Sequence, residues 1–383
     1  MGPGPSSVDP LVLDALAHPP LGHLDPAFLS LLDDLCSLLR RVYGTDNALT
    51  LPMSGTGSLG METCLFNLLE PGDRVLVGVN GVFGTRMCEV ARRAGAEVAS
   101  VEAPWGCPLD LDDLRRALKQ GPFKALCVVH AETSTGVLQE LAPLRSLADE
   151  GEALLVVDSV TSLGGVAVEL DAHGIDASYS GTQKCLSCPP GLSPISFSER
   201  AMNVVRTRRT PVRSWYTDLT LLGKYWGSER VYHHTAPVNM LFALHAALSL
   251  VVEETLPVRF ERHRRHAAAL AAGLEAMGLV LPVPSEARLP PLTLVSVPEG
   301  VDEAAVRRVL LSRHQLEIGG GLGRFAGVAW RIGLMGAGST RDNVTLCLEA
   351  LAESLREQGF DPKHDGALIA QAVLDAEKAP PRA

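Results

Sequence analysis

Lys184 lies within residues 179–191, a segment whose composition predicts that the lysine side chain points into the protein. Serine, glycine and threonine precede it, and two prolines and a glycine turn the chain shortly after it. A buried lysine has to be neutralised, paired or used covalently, because burying an isolated charge is costly. The covalent use is a Schiff base with an aldehyde cofactor, of which pyridoxal phosphate is the commonest.

Asp158 follows an apolar run that begins at Ala153 and is typical of a central parallel strand buried on both faces. In open α/β sheets the ligand lies at the carboxyl ends of the strands, which is where this carboxylate is expected. A carboxylate there can pair with the protonated ring nitrogen of pyridoxal phosphate and keep the ring an electron sink. The alternative role is a helix N-cap, because Asp is a preferred cap residue.

A glycine-rich loop at residues 54–60 carries the spacing G-x-G-x-x-G, which also occurs in dinucleotide-binding proteins. That motif needs an acidic residue at the end of the next strand, and Asn80 stands there instead. The interpretation of the chain as a nicotinamide oxidoreductase therefore rests on the spacing of these glycines alone. A loop that enters a helix offers backbone N–H groups to a phosphate, and Thr56 and Ser58 add hydroxyl donors. A simple tight turn is the alternative.

Composition bounds the class of protein. The 383 residues predict two domains, and a net charge of −10 argues against a nucleic-acid partner. No apolar run approaches the roughly 18 residues of a membrane span, and the start of the chain lacks a basic signal-peptide region. Eight cysteines in a chain of this length indicate reduced thiols, so the expected location is the cytoplasm.

Strand-like and helical segments alternate between residues 48 and 197, which predicts an α/β fold with a mainly parallel sheet. The expected organisation is an N-terminal arm at 1–15, a large domain at 16–255 and a smaller C-terminal α+β domain with a polar tail at 256–383. Residues 213–227 are expected to be irregular. The arginines at 259–265 are expected to form a solvated helix face.

Seven blocks of sequence stand in the order found in class V aminotransferases, and the match runs from about Gly2 to about residue 355. The chain resembles most the alanine–glyoxylate and serine–glyoxylate (serine–pyruvate) aminotransferases. The blocks are residues 54–58, 80–84, 132–136, 157–165, 179–191, 232–235 and 331–333.

The resemblance implies a fold-type I transferase with a seven-stranded sheet and pyridoxal 5'-phosphate as cofactor. It implies Lys184 and Asp158 as catalytic residues, and Phe83 stands where the family usually has an aromatic residue, often tryptophan, stacked on the ring. The implied cofactor shell comprises Thr56, Gly57, Ser58, Phe83, Thr133, Asp158, Val160, Gln183, Lys184, Tyr232 and Thr235.

Arg331 and Thr133 are the implied substrate-binding residues. The planar guanidinium of Arg331 matches a carboxylate in bidentate fashion, and in the resembling family it grips the substrate α-carboxylate. The alternative is a structural ion pair with an Asp or a Glu. The glycine-rich residues 319–323 just before it are expected to form a flexible loop that can close over substrate.

Tyr232 and Thr235 imply a homodimer with shared active sites, because in the family they reach the cofactor phosphate of the partner subunit. A zinc site at His233 and His234 is conceivable, but adjacent histidines point to different sides and no third ligand is evident, so no metal is expected. The C-x-x-C pair that begins at Cys185 lacks a second pair and is interpreted as neither redox-active nor zinc-binding.

The resemblance predicts ping-pong transamination between a small amino acid, alanine or serine, and a small 2-oxo acid, glyoxylate or pyruvate. Another class V transaminase remains an alternative, with aminoethylphosphonate or pyridoxamine as the amino donor. A cysteine desulfurase is excluded, because that reaction needs a nucleophilic cysteine shortly before the substrate arginine. No cysteine lies between Cys188 and Cys347.

Overall fold

The computed structural model describes residues 1–376, and a seven-stranded sheet organises the larger part of them. Its spatial order is β1-β9-β8-β7-β4-β2-β3, in which β9 is antiparallel to both of its neighbours and the other pairs are parallel. The strands are β1 Leu49–Ser54, β2 Arg74–Val79, β3 Glu97–Glu102, β4 Ala125–Val129, β7 Leu154–Asp158, β8 Ala177–Tyr179 and β9 Leu192–Phe197, while β5 Ala131–Glu132 and β6 Val137–Leu138 form a separate hairpin.

The central strands of the sheet are buried and end at the same level, at one edge of the sheet. Strands β4 and β7 are apolar and fully buried, as expected for parallel strands covered on both faces. Their register places Val129 beside Asp158, and Asp158 in turn beside Tyr179 of β8. Three successive strands therefore end at the same level, and the side chains at their carboxyl ends meet.

Helices cover both faces of this sheet, and their ends follow the expected capping chemistry. In α2 the side chain of Asp25 accepts a hydrogen bond from Ala27, Pro26 occupies the first turn, and Gly44 ends the helix with a left-handed backbone. The helices are α1 Pro10–Leu16, α2 Pro26–Tyr43, α3 Gly57–Leu68, α4 Val82–Ala94, α5 Leu111–Leu118, α6 Leu144–Glu150, α7 Glu199–Arg206, α8 Leu219–Trp226 and α9 Val238–Glu254.

A second, smaller sheet follows in the chain. It is antiparallel in the order β10-β12-β11, and Trp330 on its central strand is fully buried. Its elements are α10 Leu256–Ala276, β10 Leu292–Ser296, α11 Glu303–His314, β11 Gly319–Gly320, β12 Ala329–Gly333, α12 Arg341–Arg356 and α13 Gly366–Ala376. One apolar core spans residues 12–251 and another spans 269–374, while the domain limits themselves stay a prediction.

One expectation about regular structure was wrong. Residues 213–227 contain a 3-10 turn and the helix α8, because Asp218 caps that helix and its apolar side chains pack inward. The expected polar tail contains α13, whose Ala370 and Leu374 are buried in the second core. Residues 377–383 of that tail lie outside the described part of the chain.

The prediction of a uniformly solvated arginine face on α10 was also wrong. Arg264 is exposed, but Arg259 is only 5% exposed and the side chain of Arg262 is 26% exposed. Within residues 1–376 no single helix is both long and apolar enough to cross a membrane. The helices α9 and α10 pass that test only as a pair bent by 85° at their junction.

Candidate active site

A cleft with an empty volume of about 580 Å³ opens at the carboxyl ends of β4, β7 and β8. This is the sheet edge at which α/β proteins place their ligands. Every predicted site residue lines it except Tyr232, Thr235 and Arg331. The lining residues are Thr56, Gly57, Ser58, Met61, Phe83, Arg86, Val129, Ala131, Thr133, Asp158, Val160, Thr161, Tyr179, Gln183 and Lys184.

Lys184 enters the cleft beneath the N-terminal segment of the chain, which is packed and not frayed. Its Nζ donates to the carbonyl of Pro3, and its own carbonyl accepts a 2.7 Å hydrogen bond from Ser6 Oγ. A Cβ on Gly4 would lie 2.7 Å from Nζ, so only glycine fits there. Burial, helped by the charge of Arg331, lowers the pKa of Lys184 to about 8. A neutral, nucleophilic amine is therefore accessible near neutral pH.

Asp158 closes β7 and faces the same cleft at 3% exposure. Its Oδ1 accepts a 2.8 Å hydrogen bond from the backbone N–H of Val160, and its Oδ2 accepts one of 2.8 Å from Tyr179 Oη. Burial raises the pKa of Asp158 to about 7, although both hydrogen bonds lower it. The helix-cap alternative is wrong, because no α-helix begins in the described residues 159–176.

The glycine-rich loop ends at the N-terminus of α3, where Thr56 is the N-cap residue. The side chain of Thr56 makes no capping hydrogen bond, so the first N–H groups of the helix stay available for another acceptor. A Cβ on Gly57 would lie 3.1 Å from Val160, which shows how closely the two walls approach. This arrangement is typical of a site for one phosphate or another anion.

Glu132 is a buried residue whose role sequence reasoning missed. Its carboxylate accepts hydrogen bonds from the backbone N–H groups of Phe83 at 3.0 Å and Gly84 at 3.3 Å. It also accepts from the N–H of Ser134 at 3.0 Å and from its hydroxyl at 2.6 Å. One carboxylate thus fixes the backbone at Phe83 and around Thr133, on two walls of the cleft. Its place directly after β4 was the available signal.

Six of the lining residues were not predicted from the sequence, and three of these shape the cleft through specific contacts. Tyr179 holds Asp158, as described above, and Met61 supplies apolar wall. Arg86 places its guanidinium 4.9 Å from the ring centroid of Phe83, a cation–π contact that orients the ring. None of them belongs to a short motif with its own chemistry, so only the tertiary structure identifies them.

Arg331 sits on β12 beside the cleft and is 8% exposed. Its Nε donates to Gly320 O at 2.8 Å and its Nη1 donates to Thr133 O at 3.3 Å. Within residues 1–376 no carboxylate forms a salt bridge with Arg331, and its Nη2 donates a hydrogen bond to no carboxylate. The structural ion-pair alternative is therefore wrong for the described residues, and the guanidinium can receive an anionic ligand.

The glycine-rich segment before Arg331 is more ordered than the sequence suggested. Gly319 and Gly320 form β11 and pair with β12, and the N–H of Gly321 donates to Ala329 O at 2.8 Å. A Cβ on Gly323 would clash with the Trp105 ring, so glycine is required for that close approach. The expected flexible loop is instead a hydrogen-bonded hairpin, and its closure over substrate stays a prediction.

Tyr232 and Thr235 lie outside the cleft of their own chain. Their hydroxyls are 3.2 Å apart, and Tyr232 is 51% exposed. Between them, His233 stacks on Trp215 at 4.1 Å, while Nε2 of His234 lies 2.9 Å from a serine hydroxyl of β1. No group of three or more potential metal ligands occurs in residues 1–376, so these histidines have structural contacts.

The cysteines beside Lys184 are unsuited to redox chemistry. Cys185 and Cys188 are at most 1% exposed, and burial raises the pKa of each thiol to about 12. A thiol with such a pKa stays protonated at neutral pH and reacts poorly. The interpretation of these residues as neither redox-active nor metal-binding is therefore consistent with their surroundings.

The donors and acceptors of the cleft fit pyridoxal phosphate. Lys184 offers an amine for the aldehyde, Asp158 an acceptor for a protonated ring nitrogen, and the start of α3 its N–H groups for the phosphate. The buried Oε1 of Gln183, which also lines the cleft, has no hydrogen-bond partner among the described residues. Such an orphaned acceptor indicates that the cleft is shaped for a polar ligand.

Comparison with known proteins shows the family of this chain. The family model described as Aminotransferase class-V matches residues 14–323. The (S)-ureidoglycine–glyoxylate transaminase of Bacillus subtilis (strain 168) is 39% identical, and the alignment covers 98% of this chain and 94% of that protein. The alanine–glyoxylate aminotransferase of Rattus norvegicus is 42% identical, with 93% and 87% covered. The crystal structure of an alanine–glyoxylate aminotransferase from Nostoc sp. matches with a TM-score of 0.92 and 51% identity, covering 93% of this chain and 94% of that one.

The chain therefore belongs to the class V aminotransferase family, and it is an aminotransferase with the α/β architecture of fold-type I enzymes. This confirms the family, the fold class and the enzyme class predicted from the sequence. The family implies pyridoxal phosphate as cofactor. The individual roles of the site residues stay predictions.

The lowered pKa of Lys184 has a direct test in cofactor-free protein. Only the neutral amine reacts with acetic anhydride, so labelling of this lysine, followed by mass spectrometry, should rise through a midpoint near pH 8. The variant Arg331→Leu removes a charge that lowers this pKa, and its midpoint should move upward. A wild-type midpoint near the ordinary lysine value of about 10.4 would contradict the burial described here.

Proposed function

We propose that this protein transfers the amino group of a small amino acid to glyoxylate, with pyridoxal phosphate as cofactor. The observation that carries the proposal is the meeting of a partly buried lysine amine and a buried carboxylate in one cleft, Lys184 and Asp158, with the guanidinium of Arg331 at its side. The similarity to glyoxylate transaminases over nearly the whole chain supports the acceptor.

When bound, the cofactor supplies an aldehyde and a ring that accepts electron density. Lys184 would provide the nitrogen that holds the aldehyde, and its free amine would carry a proton from the α-carbon of the substrate to the former aldehyde carbon of the cofactor. The carboxylate of Asp158 keeps a proton on the ring nitrogen. Arg331 orients the substrate carboxylate, and the N–H groups of Gly57 and Ser58 bind the phosphate.

The surroundings of Lys184 favour a small substrate. Pro3 lies between the two substrate-handling groups, since its carbonyl accepts from Lys184 and its ring packs against Gly319. A Cβ on Gly319 would lie 2.6 Å from Pro3 and 3.5 Å from Nη2 of Arg331. The room for a substrate side chain next to the bound carboxylate is therefore limited, which suits alanine, serine and glyoxylate.

Two classes of relative support two amino donors. Alanine is the first choice, because the alanine–glyoxylate aminotransferases of Rattus norvegicus and Nostoc sp. share 42% and 51% identity with this chain. (S)-Ureidoglycine is the second, because a transaminase named for it is 39% identical over 98% of the chain. Serine and pyridoxamine remain to be tested as donors, and pyruvate as an alternative acceptor.

The variant Lys184→Ala should lose turnover by about 10³-fold or more, because it removes both the covalent anchor and the proton carrier. It should also lose the visible absorbance of the lysine-bound cofactor. The matched control Lys119→Ala changes an exposed lysine and should behave as wild type. Spectra recorded on adding each donor would rank alanine, (S)-ureidoglycine, serine and pyridoxamine. Wild-type turnover in Lys184→Ala would overturn the assignment.

Tyr179 should set the protonation of the cofactor ring through Asp158. In Tyr179→Phe the carboxylate loses a hydrogen bond, becomes more basic, and draws the proton from the ring nitrogen. A hydrogen bond to a charged group contributes about 1.5 kcal/mol or more, so the half-reaction with alanine should slow about tenfold.

The test of this role is the nitrogen-15 chemical shift of ring-labelled cofactor, which should move toward the value of unprotonated pyridine. Tyr43→Phe is the matched control, because Tyr43 is also buried but donates to Pro194 O at 3.0 Å. An unchanged shift in Tyr179→Phe would show that the tyrosine does not act on the ring.

We also propose a homodimer in which Tyr232 and Thr235 complete the site of the partner subunit. Two observations support this proposal. Tyr232 and Thr235 do not line the cleft of their own chain, and large apolar side chains are exposed on and near their segment. Trp215 is 60% exposed and Val231 is 49% exposed, which is unusual for large apolar residues unless another surface covers them.

Subunit mixing tests the shared site. Lys184→Ala and the double variant Tyr232→Phe, Thr235→Ala should each have low activity alone. Co-expressed hybrids should regain activity, because one of their two sites then holds an intact lysine and an intact tyrosine–threonine pair. Hybrids no more active than the two parents would place each site within one chain.

A further inference from the structure

The start of α10 carries a buried guanidinium that holds the segment next to Lys184. Nε of Arg259 donates to Gly164 O at 2.8 Å, and Nη2 donates to Cys185 O at 2.6 Å. Cys185 directly follows the lysine in the chain, so this arginine fixes the peptide on which the lysine side chain is carried. Neither carbonyl belongs to regular secondary structure, and each therefore depends on such a donor.

The same helix holds the segment that follows Arg331. Nη1 of Arg262 donates to Gly336 O at 2.9 Å and to Ser339 O at 2.7 Å. The N–H of Gly336 donates to Nε2 of His263 at 2.9 Å, so the ring proton resides on Nδ1 and points at the carbonyl of the preceding helical turn. Burial lowers the pKa of His263 to about 3, which keeps this imidazole a neutral acceptor.

Glu254 at the end of α9 joins the two arginines. Its carboxylate accepts from Nη1 of Arg259 at 2.5 Å, and from Nε of Arg262 at 2.6 Å and Nη2 at 3.0 Å. Burial alone would raise the pKa of Glu254, but the hydrogen bonds and charges of the two arginines lower it. The group stays ionised, and the four side chains form one network, here called the α10 network: Glu254, Arg259, Arg262 and His263.

The two segments that the α10 network holds also touch each other. The N–H of Ala337 donates to Ser187 Oγ at 2.8 Å. Gly336 has a φ of +53°, and a Cβ there would overlap Ser187 Oγ and lie 2.8 Å from Cys185 O. Glycine is required at this position, because any side chain would force the segment after Arg331 away from the segment after Lys184.

We propose that the α10 network consists of positioning residues that fix Lys184 relative to Arg331. Its catalytic consequence rests on the proposed transamination, in which Lys184 moves the α-proton while Arg331 holds the α-carboxylate. A misplacement of about 1 Å between such groups can cost about 10²-fold in rate. A buried ion pair is weak evidence for stability, because desolvation offsets its attraction. A role in positioning Lys184 and Arg331 accounts for the location of the α10 network between the two segments.

Amide hydrogen exchange of the purified holoenzyme tests the coupling without any assay of activity. Arg259→Met should speed exchange by about tenfold or more both in residues 184–188 and in residues 334–339. Arg264→Met is the matched control, because it removes an exposed arginine of the same helix, and it should leave both segments unchanged. Faster exchange in one segment alone, or in neither, overturns the proposal.

A second pair of variants serves if Arg259→Met does not fold. His263→Leu removes the acceptor for Gly336, while the side-chain carbonyl of His263→Gln can replace it. In His263→Leu, kcat should fall by about 10–100-fold while KM for the amino donor changes less than about threefold, since Arg331 keeps its own contacts. His263→Gln should recover most of the rate.

The outcomes separate this proposal from the proposed function. A wild-type protein inactive with every donor would overturn transamination, and the exchange experiment would still decide whether the two segments are coupled. If His263→Leu is folded and its kcat stays within twofold of wild type, the positioning role is wrong although the enzyme is a transaminase. A lowered melting temperature with an unchanged kcat would likewise show that the network stabilises the fold without positioning the two residues.

Discussion

The cost of burying charge governs this structure, because the cleft holds an amine and a carboxylate that water scarcely reaches. Burial moves the pKa of Lys184 down to about 8 and that of Asp158 up to about 7, so both groups exchange protons near neutral pH. The fold meets this cost with hydrogen bonds that Tyr179 and Val160 donate to Asp158, and with the carbonyl of Pro3 that accepts from Lys184. A cofactor with a positive ring and an aldehyde complements both groups.

Sequence reasoning found the lysine and the carboxylate for a physical reason. Both follow apolar segments of the central sheet, and the carboxyl ends of parallel strands converge at one edge. The same logic placed Thr133 and the loop at Thr56, since each directly follows a strand. Glu132 and Tyr179 also stand at strand ends, but their hydrogen bonds to Phe83 and Asp158 could not be predicted, because these partners are distant in sequence.

The wrong predictions share a different cause. Arginines at 259–265 look like a solvated face, but the side-chain direction of Arg259 depends on carbonyl groups of a segment far away in the chain. The helix α8 within residues 213–227 was not predicted, because a helix that packs into a shared core needs little periodicity of its own.

The antiparallel strand β1 has a consequence for biosynthesis. Leu49 pairs with Phe197, so the strand waits for 148 further residues (197 minus 49) to leave the ribosome before its neighbour exists. At about 5–20 residues per second this delay lasts roughly 7–30 s. An apolar edge stays unpaired on the nascent chain during that time, so recovery of active protein from cells should depend on chaperone supply and growth temperature more than on the stability of the finished fold.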